Sequence, residues 1–367
     1  MVSKSFAMVQ VADGKLEPRE FPLPEIGPDE GLLRVERCGI CGSDVELYYG
    51  QLGSSLYPMI PGHEPLGVIE RIGERAAARW GVKVGDRVVV EAGVSCRSCA
   101  FCQKGLFKSC PNILHIGFKK LDESMPLLGA YSQYLYLHPN TSLHKISKEV
   151  PLDVAALFNS IACGIGWAVH SAETKLDDTV VILGAGQRGL ASLIAAKAVG
   201  AGLTIVTGLS RDRHKLEMAK RLGADHIIDV ESQDVRKRVR ELTGGAMADI
   251  VMDLVPVAAE TVADAVDIVK PGGKILLAGI KGEGQTAKSL STDTIVNKGI
   301  TIKGANSKES ASYRQAIRLL EAGRYPFQSM HTHCLPLERA ADALELLAGK
   351  RPDIAGAPIC ISIEPQH

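Results

Sequence analysis

Nine cysteines stand in the 367 residues, and four of them, Cys96, Cys99, Cys102 and Cys110, share one run with the spacing C-x2-C-x2-C-x7-C. Four thiolates so close together satisfy a tetrahedral zinc ion and leave no open position, which describes a structural centre. An iron–sulfur cluster or a set of unligated thiols uses the same residues. The solvated text QKGLFKSC inside the run has little to pack and needs a metal to hold it, which favours zinc. A second group is dispersed: Cys38, Cys41, Gly42, Ser43 and Asp44 in CGICGSD, then His63 and Glu64 in GHE. One thiolate and one imidazole from these segments would make another metal site. Taken alone, a histidine after Pro61 and Gly62 is more often a loop or core residue than a ligand.

A third constellation binds phosphate. The apolar run from Thr179 to Leu183 leads into Gly184, Ala185, Gly186, Gln187, Arg188 and Gly189, then into the helical text LASLIAAKAVGA. In strand, G-x-G-x-x-G, helix, the first glycine makes the turn and the second admits a pyrophosphate. The third packs helix on strand, and the helix N-terminus supplies partial positive charge. The second strand, LTIVTG, ends at Gly208 with no carboxylate to hold a ribose. Arg211 or Arg213 beside Ser210 suits the 2′-phosphate of NADP, whereas Asp212 suits NAD or simply caps the next helix. At this point both dinucleotides stay open. Leu254, with Ala278, Gly279 and Ile280, and then Asn306, follow later strands at the carboxyl ends where such a sheet takes its ligand.

CGICGSD, GHE, the four-cysteine lobe and GAGQRG occur in the order and spacing of the zinc-containing medium-chain alcohol dehydrogenases, which this chain resembles over nearly its whole length. The resemblance implies a GroES-like catalytic domain, a Rossmann domain and reversible oxidation of an alcohol with NAD or NADP. It implies a catalytic zinc on Cys41 and His63, with Glu64 behind it or transiently coordinating, Asp44 orienting His63, and Ser43 accepting the hydroxyl proton. CGSDVELYYG is similar to the polyol, threonine and secondary-alcohol branches of the family. Three positions depart from the family pattern. The third zinc ligand, usually Cys or Glu, is Asn159 here, with Cys163 one helical turn on as the alternative ligand or a small core residue. Glu46 replaces a proton-relaying histidine. Gly42 replaces an arginine at the pyrophosphate, a role Arg188 could take. Loss of the catalytic zinc through Asn159 would leave a regulatory protein or a zinc-free NADP-binding reductase. The resemblance also implies a homodimer or homotetramer, with STDTIVNKGITIKG as the segment to pair between subunits.

The elements that position these groups are legible as two patterns. From about Leu32 to Pro139, short runs such as LLRVERCGI and DRVVVEAG alternate like strands of a small barrel or sandwich. Beyond about Val154, strand-length apolar runs alternate with helical text, predicting a parallel sheet covered on both faces. The last run, APICISI, is too short for a domain and returns to the first one. The expected fold is α/β: a mainly β catalytic domain at 1–155, a doubly wound dinucleotide domain at 156–303, and a return to the catalytic domain at 304–367. HTHC, with His331, His333 and Cys334, reads as a strand end and not as a third metal site. Tyr48, Tyr49 and Trp167 line a pocket or pack.

Composition sets the outer limits. Lys plus Arg number 42 against 42 Asp plus Glu, so there is no bulk attraction for nucleic acid or an anionic membrane, and 46% hydrophobic residues exclude a disordered chain. No apolar run is expected to reach the roughly 18 residues of a membrane span. The opening MVSKSFAMVQ has no apolar signal core, which makes the cytoplasm the expected location. The expected partner is a small-molecule alcohol or carbonyl compound.

Overall fold

A computed structural model describes residues 3–52, 56–122 and 125–366. The chain divides into two compact units, Met1–Asn159 with Leu320–Ala322 and His331–His367, and Ser160–Leu319 with Gly323–Met330.

In the first unit a seven-stranded sheet carries the site. Strand Gly31–Gly39 pairs antiparallel with Pro65–Ile72, with Tyr134–Leu137 and with the last strand, Cys360–Glu364. The alternation read in LLRVERCG is interrupted: Leu32, Leu33 and Val35 are all fully buried, the adjacent pair falling at a register shift in the pairing with Pro65–Ile72. Their neighbours in the core include Val88, Leu135, Leu137 and Ile363. Each such side chain contributes roughly 1.5–3 kcal/mol by leaving water.

In the second unit six strands are all parallel, in the order His226–Asp229, Leu203–Gly208, Thr179–Leu183, Ala248–Asp253, Val269–Leu277, Thr301–Gly304. By chain order this is 3-2-1-4-5-6, the doubly wound Rossmann sheet. Its central strands read as unbroken apolar runs because helices cover both faces. Val181, Ile205, Val251 and Ile275 are buried in one core beneath helix Thr261–Ile268.

Two positions differ from the sequence reading. Apart from the short piece Leu320–Ala322, the chain returns to the first unit at His331 and not at 304, because Thr301–Gly304 is the sixth strand of the parallel sheet and Ser310–Leu319 belongs to the same unit. A stretch long and apolar enough to cross a membrane does exist, Leu152–Ser171, contrary to the expectation that no run reaches that length. Its most apolar window is 83% buried within the fold, which accounts for apolar residues all round it.

Candidate active site

Strand pairing closes the long gap between CGIC and GHE. Cys38 lies opposite Pro65 in the sheet register, and the Gly39 N–H donates to the Glu64 carbonyl (3.1 Å). The ends of two neighbouring strands therefore deliver Cys41 and His63 to one place. Gly62 makes the approach possible: its φ is +91°, and a Cβ there would lie 2.4 Å from the ring of Tyr131.

Cys41, His63 and Glu64 are all buried, and one potential ligand atom from each lies within 4.8 Å of the others. Cys41 precedes the short helix Gly42–Tyr48, whose Asp44 takes the Cys41 N–H on Oδ2 (2.8 Å) and meets His63 Nδ1 with Oδ1 (3.0 Å). With Nδ1 committed, Nε2 is the nitrogen available to a metal. Burial works against a charge on His63. Asp44, by charge and hydrogen bond, and Cys41 outweigh it and hold the imidazole well above its ordinary pKa. A divalent ion would take the place of that proton. Cys38, three residues away from Cys41, is a different case: burial pushes its thiol well up, and it donates to its neighbour's carbonyl (3.5 Å). It is core.

Ser43 Oγ donates to Cys41 Sγ (3.2 Å). Glu46 is half-buried one turn along the same helix. Asn159 is buried, and its side-chain nitrogen donates to Glu64 Oε1. The structure thus brings Asn159 to the site as a hydrogen-bond donor on Glu64, a role that the reading as a zinc ligand did not anticipate. Cys163 is a buried residue of helix Phe158–Ile165. Two residues that the motifs do not reveal also belong here. The ring of Phe118 packs on His63 with centroids 5.1 Å apart. Tyr131 is fully buried and, among the described residues, its hydroxyl has no hydrogen-bond partner; burial together with the charge of Asp44 pushes its pKa well up.

The four-cysteine lobe fits a tetrahedral ion. Sulfurs 2.3 Å from one zinc lie roughly 3.8 Å apart. The separations are 3.9 Å for Cys96–Cys102, 3.8 Å for Cys99–Cys110 and 3.5 Å for Cys110–Cys96. The backbone N–H and hydroxyl of Ser98 and the N–H of Cys99 hold the Cys96 thiol down to about 5, whereas burial pushes Cys102 up to about 11. The larger apolar side chains of the lobe add little packing, since Phe101, Leu106 and Phe107 are exposed. HTHC behaves differently: His331 meets Ser362 (2.8 Å), while His333 meets Thr332 (2.9 Å) and the Ala355 carbonyl (3.0 Å). Tyr48 packs, donating to the Gly14 carbonyl (2.8 Å).

In the second unit each glycine of the turn has its place. Gly184 has φ +103°, Gly186 has open space where a side chain would stand, and a Cβ on Gly189 would lie 1.9 Å from the Gly184 carbonyl oxygen. Helix Gln187–Ala198 starts there, with Gln187 accepting from Ser160 (3.2 Å) and the Arg188 guanidinium 5.4 Å from the centre of the Trp167 ring. Gly208 adjoins the turn, a Cβ there lying 3.4 Å from Ala185 Cβ. Beyond it, Ser210 Oγ donates to Asp229 Oδ2 (2.7 Å) and Ser210 N–H to Glu231 Oε2 (2.7 Å). The sequence reading missed both acids because they lie at and just past the end of the third strand, not the second. Arg213 is paired with Glu217 (2.8 Å) and Asp212 with Lys215 (2.7 Å), while Arg211 is exposed. Leu254 continues from strand Ala248–Asp253, its N–H bonding the Leu183 carbonyl (3.0 Å). Ala278 and Gly279 both donate to the Asp253 carbonyl (3.0 and 3.1 Å), Ile280 is 61% exposed, and Asn306 is exposed past strand Thr301–Gly304.

A metal-ligand cluster in one unit and a dinucleotide turn in the other define a metal-dependent dehydrogenase. Residues 27–148 match the alcohol dehydrogenase GroES-like domain family and residues 189–322 the zinc-binding dehydrogenase family. The chain is 42% identical over 351 residues to a Mycobacterium tuberculosis protein named probable alcohol dehydrogenase (94% of this chain, 95% of that one). It is 32% identical over 353 residues to the erythritol/L-threitol dehydrogenase of Mycolicibacterium smegmatis (93% of each). A solved structure from Sinorhizobium meliloti 1021, bound to NADP, superposes with a TM-score of 0.87 at 25% identity (99% of this chain, 100% of that one). The chain belongs to the zinc-type medium-chain dehydrogenase family, and it is an NAD(P)-dependent oxidoreductase acting on CH–OH groups.

Proposed function

We propose that the protein oxidises a secondary alcohol or polyol, with NAD preferred to NADP. The observation that carries the reading is the buried donor set Cys41, His63 and Glu64, with the Ser43 hydroxyl 3.2 Å from the Cys41 sulfur. Cys41 and His63 would hold the catalytic zinc, with Glu64 adjacent, and Cys96, Cys99, Cys102 and Cys110 the structural one. When bound, zinc would supply Lewis acidity toward an alcohol oxygen, and the dinucleotide would supply the hydride acceptor. The chain does the rest. Asp44 fixes the His63 ring, Asn159 anchors the Glu64 carboxylate, Ser43 accepts the hydroxyl proton, and Glu46 passes it toward solvent.

Support for a polyol comes from the erythritol/L-threitol dehydrogenase relative. Support for NAD comes from Asp229 and Glu231, which surround Ser210 with negative charge where a 2′-phosphate would add more. A cytoplasmic location is part of this reading, since four cysteines clustered as metal ligands suit a compartment that keeps thiols reduced. A homodimer or homotetramer would use the exposed edge strand Thr301–Gly304. A panel of secondary alcohols and polyols, each offered with NAD and with NADP while reduced cofactor is followed by absorbance, tests the assignment. Turnover of polyols with NAD is the expected result; activity confined to primary alcohols, or to NADP, overturns it.

A further inference from the structure

A largely buried ion pair stands at the carboxyl end of the parallel sheet, its acid fully buried and its lysine 15% exposed. Asp253, fully buried, ends the fourth strand directly opposite Leu183 of the first, at the point where the strand order reverses and a doubly wound sheet takes its ligand. Lys281 Nζ donates to Asp253 Oδ1 (2.9 Å), to the Val255 carbonyl (2.6 Å) and to Thr261 Oγ1 (3.0 Å). Thr261 donates to Asp253 Oδ2 (2.8 Å), and the Val255 N–H to Oδ1 (3.2 Å). All three ammonium protons thus have acceptors, and both carboxylate oxygens have donors.

One residue therefore governs two loops. Through its carboxylate Asp253 holds 254–258, and through its carbonyl it receives the N–H groups of Ala278 and Gly279. Lys281 fastens the second loop to the first. The Val257 N–H completes the stitch on the Ile280 carbonyl (3.1 Å), with Val257 held at φ +68°, where a β-branched residue rarely stands. The outcome is two aliphatic side chains, Val257 and Ile280, left 63% and 61% exposed. The same loop abuts the glycine turn, since a Cβ on Gly184 would lie 3.2 Å from Val255 Cγ2.

A buried ion pair adds little net stability over an apolar replacement of the same shape, and its best use is to fix geometry. We propose that Asp253 and Lys281 are positioning residues for the nicotinamide half of the dinucleotide, and that they set loops 254–258 and 278–282 as the seat for that planar, partly apolar group. The proposal rests on the dinucleotide site described above.

ADP-ribose, which carries everything but the nicotinamide, separates this role from a merely structural one. Calorimetric titration of the zinc-loaded protein with NAD and with ADP-ribose is the measurement, on wild type, Lys281→Met and Asp253→Asn, with melting curves to identify folded variants. Either folded variant weakens NAD by about tenfold, the size of one lost set of well-placed contacts, and leaves ADP-ribose unchanged. NAD and ADP-ribose falling together, or neither falling, overturns the proposal. Should Lys281→Met fail to fold, the near-isosteric Asp253→Asn carries the test. Wild-type protein that binds neither compound overturns the dinucleotide site itself, a separate failure.

Discussion

His63 Nδ1 lies 3.0 Å from Asp44 Oδ1, and the other oxygen of the same carboxylate accepts the Cys41 N–H at 2.8 Å. One acid thus sets both the imidazole and the backbone of the thiolate that share the proposed metal. Asp44→Ala lowers zinc affinity at this site, or turnover, by about 10–100-fold. Zinc per chain after dialysis and kcat/KM together report it; a variant indistinguishable from wild type in both would remove Asp44 from the site.

The four-cysteine lobe has few apolar contacts to fall back on. Replacing Cys99 by serine reduces the zinc content of the loaded protein from two per chain to one and lowers the melting temperature, because the metal-binding energy is also folding energy for the lobe. Elemental analysis and thermal denaturation with and without chelator decide it. Full zinc retention would show that these thiols hold no ion.

Asn159 offers a sharper contrast. As a donor to the buried Glu64 carboxylate, it can be changed to alanine with both zinc ions kept, while one unsatisfied buried acceptor costs about 1–3 kcal/mol of stability. Denaturant midpoints and zinc counts are measured on the same sample. Loss of one zinc would make Asn159 a ligand instead.

At the adenosine end, Asp229 and Glu231 act by charge. Two charges about 4 Å apart interact by about 1–4 kcal/mol between water and a protein surface, so removing both acids improves NADPH binding relative to NADH by about tenfold or more. Fluorescence titration of wild type and the Asp229→Asn/Glu231→Gln variant compares them, at two ionic strengths to expose screening. An unchanged ratio would place cofactor choice elsewhere.

Gly189 has no room for a methyl group, its Cβ position being 1.9 Å from the Gly184 carbonyl oxygen. Gly189→Ala pushes helix from strand, costs about 1–3 kcal/mol of stability and abolishes tight dinucleotide binding. Retention of wild-type NAD affinity in a calorimetric titration would rule out the proposed use of this turn.

What the sequence determined by itself was whatever is local along the chain. The spacing of Cys96, Cys99, Cys102 and Cys110 confines four sulfurs to one lobe, and the run from Thr179 to Gly189 carries strand, turn and helix in one stretch. The alternation of apolar and helical text likewise sufficed for a parallel sheet. Only the tertiary structure decided the pairings between distant segments. The resemblance names Cys41 and His63 together, but their meeting in space comes from the pairing of strands Gly31–Gly39 and Pro65–Ile72, while Cys38, inside the first of these strands, is core. Asn159 stands 95 positions from Glu64, Ser210 meets acids 19 and 21 positions on, and Lys281 reaches back 28 positions to Asp253. The return to the first unit at His331 was hidden for the same reason, since Thr301–Gly304 reads like any short strand until its neighbour is known. Residue types and spacing specify elements because backbone periodicity is local. Contacts between the ends of those elements are set by strand order and register, which no single stretch of text contains.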